Sequence, residues 1–253
     1  MKINVETAES HLLLVPQRTI ESIGEVKNEW FESDYWASQQ RLVGQSSGRN
    51  ITWFVRPEES SLIAGPKVRD WVLRHYYRGG MIAKVSRDKF FYTGIFRTRP
   101  YLEMQLLLEM QRLGLPVPIC VAARVSKRGF SYSADLLMEK LEAEDLVKCL
   151  KSSQLSKTQW QSIGKVVALF HRHGVYHADL NAHNIMIDHQ QKIWLIDFDR
   201  CQIRKPDSNW QQQNISRLKR SLVKEKGLDS SLSFEDQCWH WLTDGYHRQL
   251  GNR

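Results

Sequence analysis

Asp179, Asn184 and Asp197 are three oxygen-bearing side chains whose order and spacing suit one kind of chemistry. Asp179 precedes Asn184 by five residues in the segment HADLNAHNIMID, His177 to Asp188, and the strand-like run KIWLID then delivers Asp197. Moving a phosphoryl group asks a protein mainly to position reactants and neutralise charge. Such a site needs a carboxylate beside the accepting hydroxyl and hard oxygen ligands for Mg²⁺ on the phosphates. Asp179 fits the first role, and Asn184 and Asp197 fit the second.

Simpler roles compete for the same residues. His171, His173, His177 and His183 crowd this stretch, yet their H-x-H and H-x-x-x-x-x-H spacings match no common zinc pattern, and satisfied structural histidines are the expectation for most. Asp188 and Asp197, each taken alone, suit a carboxylate closing a turn at a strand end. The pairing with the loop that carries Asp179 is what separates Asp197 from Asp188.

The elements that must position these groups follow from periodicity. Residues 41 to 57, RLVGQSSGRNITWFVRP, read as two strands around a turn bounded by Gly44 and Gly48, a hairpin suited to covering phosphates. DWVLRHYY, Asp70 to Tyr77, reads as a third strand broken by Gly79-Gly80, and Met81 to Val85 resumes a strand. Leu102, Leu106, Leu107, Met110 and Leu113 recur at helical spacing, predicting a helix with Glu103 in its first turn and a stop at Gly114 and Pro116. Strands are expected around Val121 to Val125 and Tyr132 to Met138, then a connector beginning at Glu139.

Residues 158 to 173 predict an amphipathic helix closed by Gly174. Beyond Asp199 the expectation is a polar stretch, a basic helix ISRLKRSLVKEK ended by Gly227, and a last helical segment rich in tryptophan and histidine. This order gives an α+β fold of two lobes: residues 1 to 139 as an antiparallel-sheet, nucleotide-binding lobe, and residues 140 to 253 as a reduced, mainly helical catalytic lobe.

Composition bounds the setting. The chain has 253 residues, 42% of them hydrophobic and 25% charged, as in a folded protein with a sizeable core. The apolar run Leu12 to Val15 is too short for a secretory signal, and no stretch approaches the roughly 18 apolar residues of a membrane span. Cys120, Cys149, Cys201 and Cys238 are widely separated, which points to a reducing cytoplasm. The net charge of +8 favours anionic partners, and Lys67 to Arg99 is the most basic segment.

The loop His177-Ala-Asp179-Leu-Asn-Ala-His-Asn184 and the triplet Asp197-Phe-Asp199 resemble the catalytic and metal loops of the protein-kinase-like superfamily. Within it, LRHYYRGGMIAK, GLPVPICVAARV, HADLNAHNIMID, WLIDFDRC and NISRLKRSL are similar to the lipopolysaccharide kinase family. That resemblance implies ATP and Mg²⁺ as cofactors. It implies phosphate transfer to the 4-hydroxyl of 3-deoxy-D-manno-octulosonic acid (Kdo) on Kdo-lipid IVA, at the cytoplasmic face of the bacterial inner membrane. Asp179 is then the base, His177 orients the loop, and Asn184 and Asp197 hold the metal. Glu103 pairs with a phosphate-anchoring base, either Arg74 or Lys84, with Lys84 slightly favoured. Gly44, Gly48 and Glu139 complete the nucleotide side.

The chain also departs from the protein-kinase pattern. The metal loop ends in Asp199 instead of glycine, leaving open a second-metal or a turn-capping role, and no A-P-E follows. Only about 50 residues remain after Asp199, too few for a peptide-binding lobe, which favours a small or lipid-borne acceptor. The basic residues of 69 to 99, with Arg217, Lys219, Arg220, Lys224 and Lys226, would meet acidic sugar, lipid phosphate or an anionic membrane surface. Three rivals stand beside this reading: another small-molecule or atypical protein kinase, a catalytically silent nucleotide-binding module, and a nucleic-acid binder. No interleaved aromatic and basic motif supports the last, so no nucleic-acid partner is expected.

Overall fold

The computed structural model describes residues 2–8, 11–47, 51–58, 69–78 and 88–251. Two compact units make up the chain: Met1–Glu109 with Pro118–Lys140, and Met110–Val117 with Leu141–Arg253. Lys84 and Gly48 lie outside the described residues, as do Gly79-Gly80 and the strand expected at Met81 to Val85.

The first unit opens with β1 (Ile3–Ala8) and β2 (His11–Pro16), followed by α1 (Gln17–Ile23) and α2 (Ser33–Ser38). The hairpin strands come next, β3 (Leu42–Ser47) and β4 (Ile51–Val55), then β5 (Trp71–His75), the short β6 (Phe90–Phe91) and α3 (Arg99–Arg112). Finally β7 (Cys120–Arg128) and β8 (Ser131–Glu139) form the centre of the sheet. Among the described residues the strand order is β1-β2-β7-β8-β5-β4-β3, with β6 on the start of β8, and every pairing is antiparallel.

The run Leu12 to Val15, read only as too short for export, is part of β2 and is flanked on both edges by β1 and β7. Leu13 and Val15 join an aromatic cluster on one face, while Leu14 is buried on the other. A strand covered on both faces loses its alternation, which is why its sequence did not announce it. The cluster is centred on Trp30, Trp36 and Trp71, whose ring centroids lie 5.4–6.5 Å apart. Trp36 Nε1 donates to Trp30 O at 2.8 Å, satisfying the indole in the apolar setting.

Much of the basic run 67 to 99 is engaged within this unit. Arg69 pairs with Glu139 and Arg74 with Glu103. The guanidinium groups of Arg78 and Arg99 lie over the Phe90 ring at 5.4 and 4.7 Å. Another basic side chain, Arg124, forms two bonds to Asp135 Oδ2 at 2.9 and 3.0 Å in the sheet interior. Asp135 Oδ1 meets His75 Nδ1 at 2.6 Å. Burial opposes charge on His75, but Asp135 and Asp88 outweigh it and raise its pKa.

The second unit contains β9 (Ala143–Asp145), α4 (Leu146–Ser152), α5 (Lys157–Arg172), β10 (Val175–Tyr176), β11 (Ile185–Asp188) and β12 (Ile193–Leu195). It ends with β13 (Gln202–Ile203), α6 (Ser208–Leu228) and α7 (Asp236–Gly251). A capping box starts α5: Gln159 N donates to Ser156 Oγ, and Ser156 N to Gln159 Oε1. The helix buries Trp160, Ile163, Val167 and Phe170.

Four expectations need correction. The turn expected to begin at Gly44 does not, because Gly44 to Ser47 are part of β3, paired with β4. Glu103 sits in the second turn of α3, because the helix begins at Arg99. α6 starts at Ser208, where Asp207 caps it and accepts from Asn209 N, well before the expected ISRLKRSLVKEK. It also runs through Gly227 to Leu228; one glycine costs about 1 kcal/mol in a helix, and the buried Leu218 and Leu222 outweigh it.

Packing of α5 on α7 depends on two glycines. A Cβ on Gly164 would lie 1.9 Å from Leu242 O, and one on Gly245 would lie 2.2 Å from Gln161 O. Those neighbours are backbone and cannot turn aside. Gly164→Ala should therefore cost about 2–3 kcal/mol and lower Tm by roughly 5–10 °C, whereas Gly227→Ala, with open space around it, should raise stability by about 0.5–1 kcal/mol. Thermal unfolding of both variants checks the contrast.

Candidate active site

The catalytic loop hangs from a buried imidazole. His177 follows β10, and its Nε2 donates to Ile196 O at 3.0 Å while its Nδ1 accepts from Asp179 N at 3.2 Å. The ring thereby ties the backbone of Asp179 to the segment entering Asp197. Burial holds the His177 pKa below its ordinary value, keeping the ring neutral as these two bonds require.

Local hydrogen bonds then shape the loop. Asn181 Oδ1 accepts from His183 N and Asn184 N at 2.9 and 3.2 Å, capping a 3-10 turn over Ala182–Asn184. Asn181 Nδ2 donates to Asp179 Oδ2 at 3.1 Å. Asn184 donates Nδ2 to Asp179 O at 2.9 Å, which commits its amide nitrogen, so that Oδ1 is the atom that could hold a metal.

The β11–β12 ladder brings Asp197 to this loop. Ile185 faces Leu195 in the register, and Ile196 N donates to Asn184 O at 3.0 Å, so Asp197 follows immediately after the residue opposite Asn184. Asp197 has φ 62°, a left-handed conformation of the kind that gathers at functional sites. Phe198 anchors the turn by stacking on Phe170 at 5.9 Å. Ala178 N donates to Cys201 Sγ at 3.2 Å, joining the metal-loop turn to the catalytic loop again. Asp188 takes a different part: Oδ1 accepts from Gln190 N and Lys192 N, and Oδ2 from Trp194 Nε1, closing the β11–β12 turn. The fold thus gives Asp188 to the β11–β12 turn and brings Asp197 to the loop of Asp179.

One face of α6 braces this assembly. Gln211 Nε2 donates to His171 O at 3.2 Å, Asn214 Oδ1 accepts from His177 N at 3.1 Å, and Ser221 Oγ accepts from Ala182 N at 3.1 Å. Arg217, between them on the same face, forms an ion pair from Nη1 to Asp179 Oδ1. Glu225 lies 3.5 Å from His183 Nε2. Arg217 was read as part of a basic face; its partnership with Asp179 was not anticipated. The available signal was the polar series 211, 214, 217, 221 and 225, which keeps to one helical face.

In the first unit, Arg74 Nη2 meets both oxygens of the buried Glu103 carboxylate at 2.6 and 2.7 Å. Tyr76 OH donates to Glu103 Oε2 at 2.7 Å, a contact not evident from the sequence although Tyr76 lies only two residues from Arg74. Ser46, Thr52, Arg74 and Leu136 stand opposite one another across β3, β4, β5 and β8, aligning the hairpin with the Arg74 row. Gly44 lies at an irregularity in that hairpin, where a Cβ would come 3.3 Å from the Phe54 ring. Glu139 ends β8, donates its amide to Ile119 O at 2.8 Å and pairs its carboxylate with Arg69 at 3.0 Å.

His171 supplies a test of the second unit's interior. Its Nδ1 is hydrogen-bonded to Tyr246 OH at 2.8 Å, and burial pushes its pKa from the ordinary 6.5 down to about 4. Below pH 6.5 the unfolded chain binds this proton before the folded one, so stability falls on acidification. Between pH 8 and pH 5 the wild type should lose about 2 kcal/mol more than a His171→Gln variant in urea unfolding; equal losses would remove His171 from this role.

Residues 33–246 match the lipopolysaccharide kinase (Kdo/WaaP) family. The chain is similar to a 3-deoxy-D-manno-octulosonic acid kinase of Haemophilus influenzae (strain 86-028NP), 39% identical over 88% of this chain and 92% of that protein. It is also similar to one of Vibrio vulnificus (strain CMCP6), 41% identical over 87% of this chain and 89% of that protein. One of Mannheimia succiniciproducens is 40% identical over 86% and 89%. With its kinase-like catalytic loop and a match across most of its length, the chain belongs to the lipopolysaccharide kinase (Kdo/WaaP) family.

Proposed function

We propose that this protein transfers the γ-phosphoryl group of ATP to the 4-hydroxyl of Kdo on Kdo-lipid IVA during assembly of the lipopolysaccharide inner core. The observation that carries the reading is the gathering of Asp179, Asn184 and Asp197 by the His177 bridge and the β11–β12 ladder. Family membership and relatives named as 3-deoxy-D-manno-octulosonic acid kinases supply the acceptor class.

Asp179 receives the proton of the attacking hydroxyl, with its carboxylate oriented by Arg217 and Asn181. His177 positions the loop: both ring nitrogens are engaged by backbone groups, so it has no part in proton transfer. Asn184 and Asp197 offer two hard oxygen ligands, a donor set that fits Mg²⁺, which usually takes few protein groups beside phosphate oxygens and water. Held by Asn184 and Asp197, Mg²⁺ would supply charge neutralisation for phosphoryl transfer. Asp199 is assigned no ligand role.

On the nucleotide side, the pairing with Glu103 supports Arg74 as the phosphate anchor rather than Lys84. The β3–β4 hairpin with Gly44 covers the phosphates, and the segment at Glu139 borders the nucleotide. The acceptor's acidic sugar and lipid phosphates suit a chain of net charge +8. Among the described residues no helix is long and apolar enough to cross a membrane; the protein works from the cytoplasmic face of the inner membrane as a peripheral enzyme.

Transfer of labelled γ-phosphate to Kdo-lipid IVA in detergent, compared with lipid IVA lacking Kdo, tests the assignment. Asp179→Asn should lower kcat by about 10³-fold or more while leaving Tm nearly unchanged, because the side chain is exposed. Arg217→Ala should lower kcat by roughly 10–100-fold with KM for ATP little changed, and Arg217→Lys should restore part of the loss. Labelling independent of Kdo would reject the acceptor, and an active Asp179→Asn enzyme would reject the base.

A further inference from the structure

Among the described residues, three of the four most exposed large hydrophobic side chains are phenylalanines from neighbouring parts of the first unit: Phe130 at 83%, Phe91 at 69% and Phe96 at 63%. The local backbone explains why they point outward. Phe90 packs inward against Tyr132, with ring centroids 5.3 Å apart, so strand alternation turns Phe91 to the opposite face. Gly129, at φ 58°, makes the β7–β8 turn that carries Phe130. Tyr92 N donates to Phe130 O at 2.9 Å, tying this turn to the residue after Phe91. Phe96 belongs to a 3-10 turn, Ile95–Arg97, and rests edge-on against Tyr101 at 5.1 Å.

The segments carrying these rings are predominantly basic. Segments 88–97 and 127–131 contain four cations, Lys89, Arg97, Lys127 and Arg128, all exposed, and one acid, Asp88. The Asp88 carboxylate faces His75 at 3.6 Å. Lys127 Nζ lies 5.0 Å over the Tyr92 ring, placing a cation beside the aromatic group. Clustered apolar side chains left in water mark an interaction surface. Here the rings sit on turns and a short edge strand whose segments also carry exposed lysine and arginine, a combination complementary to an anionic interface.

We infer that Phe91, Phe96 and Phe130, with Lys89, Arg97, Lys127 and Arg128, form a docking surface for an anionic lipid bilayer, the rings entering the headgroup region and the cations meeting lipid phosphates. The inference deepens the proposed function, in which the acceptor is lipid-borne, by naming the surface that meets the membrane.

The test uses the full chain and vesicles of phosphatidylcholine alone or with about one part in four of phosphatidylglycerol. Co-sedimentation should show binding to the anionic vesicles and little to the neutral ones. The combined Phe91→Ser, Phe96→Ser and Phe130→Ser variant should bind at least about tenfold more weakly, as should Lys127→Glu with Arg128→Glu, while both keep the Tm and the transfer rate to acceptor dispersed in detergent. Failure of the wild type to bind anionic vesicles, or undiminished binding by the triple serine variant, overturns the inference. So does a wild-type dimer in sedimentation that the serine substitutions dissolve, because the surface would then belong to a second copy. Loss of vesicle binding in the variants together with no transfer to Kdo-lipid IVA in detergent by any form would uphold this surface and reject the assigned reaction.

Discussion

The neutral, buried imidazole of His177 is the constraint on which the catalytic arrangement depends. Its two nitrogens face in different directions, one receiving the amide of Asp179 and the other donating to the carbonyl of Ile196. Two chain segments separated by intervening strands are thereby held at a fixed spacing. Protonation would turn the accepting nitrogen into a donor facing another N–H, so burial that keeps the ring neutral also preserves the connection. Asn184 adds a second connection, holding Asp179 O with its side chain and receiving Ile196 N with its backbone.

Two ion pairs of contrasting character serve the two units. Arg74 and Glu103 are largely withdrawn from water and hydrogen-bonded at close range. Breaking such a pair strands a charge in a poor solvent, at a cost of about 3–5 kcal/mol, so it suits a fixed anchor. Arg217 and Asp179 are both substantially exposed, with side chains 47% and 55% accessible. Exposed pairs contribute little to stability and are readily exchanged, which suits the role proposed for Asp179, a carboxylate meeting successive acceptor molecules.

How legible these features were depended on how local their causes are. Asp179, Asn184 and Asp197 lie within 19 residues, and their spacing is set by one turn and one hairpin, so the motif alone pointed to their being brought together. α3 and α5 announced themselves by apolar periodicity, and α5 also by its capping residues. The strand β2 did not, because burial on both faces erases the alternation that marks a strand. Gly227 misled because a helix end is decided by packing and capping beyond the glycine itself. The Arg217–Asp179 pair joins residues 38 positions apart, and the Arg124–Asp135–His75 cluster requires the register of β7, β8 and β5. Neither is written in local sequence. The outward turn of Phe91 and Phe130 likewise follows from register and turn conformation, since composition makes every phenylalanine a core candidate.

The bracing face of α6 has a consequence for how the chain can vary. Gln211, Asn214, Arg217, Ser221 and Glu225 each meet a different point on or beside the catalytic loop. A single-residue insertion between Gln211 and Ser221 would rotate everything beyond it by about 100°, turning the downstream contacts away together. Exposed outward positions such as Val223 and Leu228 carry no such coupling. In engineering terms, α6 has a reading frame: its solvent side tolerates substitution, but its length between those two contacts is as constrained as the spacing from Asp179 to Asn184.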